Sequence, residues 1–129
     1  MMRSLLLLTA ALAIGLALVP TTIAKDGDVL VRGVCTKAST SKLKLSPEDG
    51  AIEVEFEVDQ NRNGVRWSVS LRRVLPGGTL LLSSGTRITR APSGSFEFRR
   101  VVTDRAGGDR IRARAISPSG EVCRATARI

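Results

Sequence analysis

Strict alternation of apolar and polar side chains constrains this chain more than any other feature. Ile52, Val54, Phe56 and Val58 alternate with Glu53, Glu55, Glu57 and Asp59, and Val65, Trp67, Val69 and Leu71 alternate with Arg66, Ser68, Ser70 and Arg72. A period of two sends successive side chains to opposite faces of a strand, so each of these segments has one buried face and one wet face. Ile111, Ala113 and Ala115 repeat the pattern against Arg110, Arg112 and Arg114, and Cys123, Ala125, Ala127 and Ile129 repeat it against Arg124, Thr126 and Arg128. Phe96 and Phe98 open a further strand, in which Arg99-Arg100 ahead of Val101-Val102 breaks the phase and predicts a bulge. Weaker strands are expected over 29–35, 42–45 and 79–82.

Turn residues separate these segments: Pro47-Glu48-Asp49-Gly50, Asn63-Gly64, Pro76-Gly77-Gly78, Pro92-Ser93-Gly94, Gly107-Gly108 and Pro118-Ser119-Gly120. No segment has helical periodicity. Short strands at this spacing predict an all-β fold, a seven- to eight-stranded antiparallel sandwich of immunoglobulin-like type. The chain has no Tyr, so the tyrosine corner of many such sandwiches cannot form, while Trp67 falls where they place a core tryptophan. The last hairpin can be registered. With Ser117 and Glu121 flanking a three-residue loop and Gly120 in its left-handed position, Ala115 faces Cys123, Ala113 faces Ala125 and Ile111 faces Ala127, all inward. The same register sets Arg114 opposite Arg124 and Arg110 opposite Arg128, all outward.

Residues 1–24 have the form of a secretory signal: Arg3, an apolar run over 5–19, Pro20, and the small residues Thr22 and Ala24 before the cleavage point. The run is shorter than the roughly 20 residues that span a bilayer, so no stable membrane span is expected after cleavage. Residues 25–129 then form a single domain in an extracellular, oxidising space, where Cys35 and Cys123 are expected to form one disulfide between the first and last strands. The competing assignment is two free or intermolecular thiols. Composition narrows function further. Without histidine there is no imidazole base, no Ser-His or Cys-His pair and no His-ligated metal, and two cysteines cannot complete a structural zinc site. No enzyme activity, cofactor or metal is therefore expected.

In the segments 56–64 (FEVDQNRNG) with Trp67, 91–97 (APSGSFE) and 113–123 (ARAISPSGEVC), the chain resembles a group of small secreted proteins of high-GC Gram-positive bacteria. The resemblance spans nearly all of 25–129. It implies a secreted single-domain β protein with a terminal disulfide and brings no activity or catalytic residue. An excess of Arg over Lys, 16 against 4, suits a GC-rich genome without explaining where the arginines fall.

Three patterns bear on chemistry. Asp59, Asn61, Asn63 and Gly64 match the opening of a calcium loop, but the acid expected at its twelfth position is Ser70, and Arg62 and Arg66 flank the site; an Asx turn is the expected structure. Ser39-Thr40-Ser41-Lys42 has the S-x-x-K spacing of serine acylases but lies in a polar loop entering a strand, without the other motifs. The arginines carry more information. If the third, sixth and seventh strands share a sheet, as in immunoglobulin-like sandwiches, then Arg66, Arg72, Arg110, Arg112, Arg114, Arg124 and Arg128 lie on one face with no acid among them. Glu53, Glu55 and Glu57 would lie on the other sheet, neutralised by Lys42, Lys44 and Arg99. If the acidic strand instead pairs with the Trp67 strand, Glu sits beside Arg and the patch vanishes. Like charges directly opposite on neighbouring strands are destabilising, so the face is either a fully solvated solubilising surface or a site for an anionic partner. The expected function is a secreted non-enzymatic binding or structural module that associates with an anionic polymer or surface, such as wall polymer or extracellular nucleic acid. The alternative is a module that binds an unidentified protein through its loops, as an inhibitor or adhesion partner.

Overall fold

The computed structural model describes residues 27–129; the expected signal segment, 1–24, lies outside the described residues. Among the described residues nine strands occur in chain order: β1 (Val29–Arg32), β2 (Val34–Cys35), β3 (Thr40–Glu48), β4 (Ala51–Asp59), β5 (Arg66–Leu75), β6 (Gly78–Ile88), β7 (Ser95–Thr103), β8 (Arg110–Ile116) and β9 (Val122–Arg128). They form two antiparallel sheets, β1-β3-β4-β7 and β2-β9-β8-β5-β6. The alternating segments become β4, β5, β8 and β9, because turning the apolar set inward on each strand lets two sheets close on one another and remove both faces from water. Leu43, Leu45, Ile52, Val54, Phe56 and Val58 from the first sheet meet Trp67, Val69, Leu71, Ile111, Ala113 and Ala115 from the second in one buried core. The indole of Trp67 packs 6.0 Å from the ring of Phe96, and its Nε1 donates to Gln60 Oε1 at 3.1 Å, so its polar atom is satisfied within the protein.

The strand count exceeds the expected seven or eight at one place in the chain. The segment 29–35, expected as one strand, divides at Gly33: β1 pairs with β3 in the first sheet, and β2 pairs with β9 in the second. Gly33 is where the chain crosses between sheets. A Cβ there would lie 2.1 Å from Ser41 Oγ and 2.8 Å from the Arg124 carbonyl oxygen, so only glycine lets the two backbones approach this closely. Just past the crossing, Cys35 lies opposite Cys123 and the two are joined in a disulfide, which fastens the start of the domain to its last strand.

The bulge expected at Arg99-Arg100 is absent, since β7 pairs with β4 in unbroken register from Ser95 opposite Asp59 to Thr103 opposite Ala51. Arg100 keeps the inward phase of Phe96 and Phe98 instead. At the sheet edge its guanidinium reaches over the Phe98 ring, 4.1 Å from the centroid, and bonds Ser83 Oγ at 2.9 Å. Val101 takes the outward position and is 63% exposed. The register shift in the fold lies between β5 and β6, where Leu71 faces Ser83, Arg72 faces Leu81, and Leu82 is the extra residue. The last hairpin has the expected geometry: Ser117 N donates to Glu121 O, Gly120 is at φ 84°, and Ala115 lies opposite Cys123.

Candidate anion-binding face

β5, β8 and β9 are neighbours in the second sheet, so the three arginine-bearing strands share one outer face. β8 is the central column, with Arg110, Arg112 and Arg114 all exposed. Each has one arginine directly across a strand: Arg110 faces Arg128, Arg112 faces Arg72, and Arg114 faces Arg124. Two of these pairs were legible in the hairpin register, whereas the Arg72–Arg112 pair exists only because β5 docks beside β8. A hydroxyl completes two of the rows, Thr126 beside Arg112 and Ser70 beside Arg114. Arg66 shares the face but not the cluster. It lies opposite Ile88, four residues along β5 from Ser70, which is about 13 Å at the rise of a strand.

Side chains on this face alternate with core residues, so outward charge follows from inward burial. Cross-strand Cβ atoms lie about 5 Å apart, which brings paired guanidinium groups within reach of one multidentate anion. Among the described residues, none of these seven arginines forms an ion pair; Arg72 Nη1 donates to Thr79 Oγ1 at 3.3 Å. The acids lie elsewhere. β4 pairs with β3 and β7 rather than with the Trp67 strand, so Glu53, Glu55 and Glu57 face outward on the opposite sheet. There Lys42 meets Glu57 at 3.6 Å, Lys44 meets Glu55 at 3.2 Å, and Arg99 reaches Glu55 at 2.6 Å, Glu97 at 3.1 Å and Glu53 at 3.8 Å.

That cluster sets its own proton affinities. Burial pushes the Glu55 carboxyl up, but hydrogen bonds with Glu53 and Lys44 and the charges of Lys44 and Arg99 outweigh it, so Glu55 lies below the ordinary value. Glu53 lies above it, through the bond it shares with Glu55 and through burial. Lys44 is raised by its bond to Glu55, and Arg99 by the charges of Glu55 and Glu97. One sheet therefore has a self-neutralised charge lattice and the other an uncompensated one.

The remaining motifs are accounted for locally. In the loop 59–64, Asn61 N donates to Asp59 Oδ1 at 3.0 Å and Asn61 takes φ 56°, which is the Asx turn expected there. Ser39 is not directed at Lys42; its hydroxyl donates to Glu121 Oε1 at 2.6 Å, and Lys42 is engaged with Glu57.

Three buried charges escaped the sequence analysis. Glu121, 3% exposed, accepts from the backbone N–H groups of Lys37 and Ser39 and from the Ser39 hydroxyl, fastening the loop after β2 to the final hairpin. Arg73 and Asp109 form an ion pair at 2.8 Å between almost wholly buried side chains. Arg73 also donates to the Thr103 carbonyl, and Asp109 Oδ2 accepts from Arg105 N at 2.9 Å. A signal was available: positions 73, 109 and 121 continue the inward phases of β5, β8 and β9, and a charge on a buried phase must find a partner. Comparison with protein-family models, with curated proteins and with solved structures gave no match.

Proposed function

We propose that this protein is a secreted, non-enzymatic binding module of immunoglobulin-like type that associates with anionic polymers or surfaces through the outer face of β5, β8 and β9. The observation that carries the proposal is three directly opposed arginine pairs on adjoining strands, without a carboxylate among them. Opposed like charges raise the free energy of the bare sheet, and an anion lying over the face relieves that repulsion. Arginine suits the task, because its planar fork of donors matches phosphate and carboxylate oxygens two at a time. Trp67, Phe56, Phe96 and Phe98 are all buried, so no aromatic platform is available to stack bases. Nucleic acid would therefore be held by charge alone and without sequence preference. The disulfide accords with an oxidising compartment, and a first strand divided between sheets, with β5, β8 and β9 together, supports the immunoglobulin-like assignment.

The test compares two triple variants with the same change in charge. Arg112, Arg114 and Arg124 are replaced by Glu in one, and the exposed loop residues Arg62, Arg90 and Arg105 in the other. The first is expected to lose affinity for polyphosphate, wall polymer or single-stranded DNA at least about tenfold more than the second, with the salt slope for DNA reduced by about 2 as three phosphate contacts disappear. Equal losses in the two variants would reduce the face to a solubilising surface.

A further inference from the structure

One side of the sandwich is closed by the continuous segment that supplies β1 and β2; on the other, β6 and β7 end their sheets side by side. An edge strand presents unpaired N–H and C=O groups, and proteins ordinarily guard such edges with charge, proline or brevity. β7 carries Glu97, Arg99 and Arg100, β1 has four residues and β2 has two. β6 runs for eleven residues, and the stretch 74–86 is the longest uncharged run among the described residues. Leu80 and Leu81 on this strand are 42% and 49% exposed. Its only charge, Arg87, is turned over the Phe98 ring at 4.8 Å and donates from Nε to Glu97 O.

We infer that β6 is a homodimerisation edge, pairing antiparallel with β6 of a second copy across a two-fold axis to give one continuous ten-stranded sheet. Charge selects the occupant. The whole chain has a formal net charge of +8, so two copies repel over most of their surface and can approach where the surface is neutral. An acidic partner would be drawn to the arginine face rather than to this run; the strand whose chemistry matches β6 is another β6. In the pairing, Arg72 and Arg72 of the partner subunit stand three strand spacings apart, about 14 Å, which exceeds the screening length of about 8 Å at physiological ionic strength. The extra residue Leu82 interrupts the edge and shortens the ladder, so the dimer is a weak one. The two-fold axis sets both arginine faces on the same side of the joined sheet.

Sedimentation velocity of the disulfide-bonded protein tests this, together with hydrogen exchange at low and high concentration. The weight-average mass is expected to rise toward twice the monomer mass between about 10 µM and about 1 mM, the range of small transient interfaces. Protection should rise with concentration over 78–86 and not in β7. Leu81→Lys should abolish the rise, whereas Val101→Lys, on the neighbouring edge, should leave it unchanged. A mass that stays monomeric throughout, protection gained elsewhere, or equal effects of the two variants would overturn the assignment.

Discussion

Replacing Asp109 with alanine tests the energetic account of the fold at its most demanding point. Asp109 is 2% exposed and Arg73 4%, and the guanidinium meets the carboxylate at 2.8 Å. The substitution leaves a buried cation with the Thr103 carbonyl and the charge of the exposed Asp104 in place of its ion-pair partner, and leaves Arg105 N without its acceptor. Breaking one side of a buried ion pair costs about 3–5 kcal/mol, a large share of the about 5–15 kcal/mol that holds a domain together. With a urea dependence of about 1–3 kcal/mol per molar, the unfolding midpoint should fall by at least about 1 M at unchanged slope. The backbone bonds between Asp109 and Ile129 in both directions do not involve the carboxylate, so the loss is assigned to the side chain. The double variant Arg73→Met/Asp109→Leu removes both charges and should recover most of the loss, because a packed apolar pair needs no desolvated ions. A midpoint shift below about 0.3 M for Asp109→Ala would mean that water reaches the pair, and strictly additive losses in the double variant would mean that the two residues act independently. Either result refutes the argument.

Four further outcomes are expected. The Cys35–Cys123 bridge spans 88 residues, so replacing both cysteines with serine should lower stability by about 4–5 kcal/mol in the chain-entropy treatment, while mass measurement of the intact protein should show a gain of two hydrogens on reduction. Glu55, held below its ordinary value near 4.5, contributes stability above that pH that is lost as the pH falls through its folded value, so Glu55→Gln should flatten the acid limb of a stability profile. Glu53 is raised, so its ionisation opposes folding above its folded value and Glu53→Gln should act in the opposite sense, stabilising the protein near neutral pH and steepening the net acid loss. Gly33→Ala forces a Cβ against the Arg124 carbonyl where the chain changes sheets and should destabilise by about 1–3 kcal/mol in thermal unfolding, with the loss centred on β2 by hydrogen exchange.

The sequence by itself determined the alternating strands β4, β5, β8 and β9 with their inward faces, the last hairpin with its two arginine pairs, and the pairing partner of each cysteine. All of these are local or nearly so: alternation is a property of one strand, a three-residue loop fixes the register of one hairpin, and a chain with two cysteines has one possible internal disulfide. What the tertiary structure decided is which strands are neighbours. The Arg72–Arg112 pair, the separation of the acidic stripe from the arginine face, and the open edge at β6 all follow from strand order, and strand order is set by long-range packing rather than by any local pattern. The division of 29–35 at Gly33 has the same origin, since the glycine is needed only because Ser41 and Arg124 come together there. Arg100 shows the limit of local inference. Its break in polarity predicted a bulge, but a guanidinium at a sheet edge can keep the inward phase by laying itself over Phe98, and the strand continues undisturbed. Arg73, Asp109 and Glu121 occupy inward phases that alternation could mark as anomalous, yet their partners lie on other strands and loops, where only the folded chain brings them together.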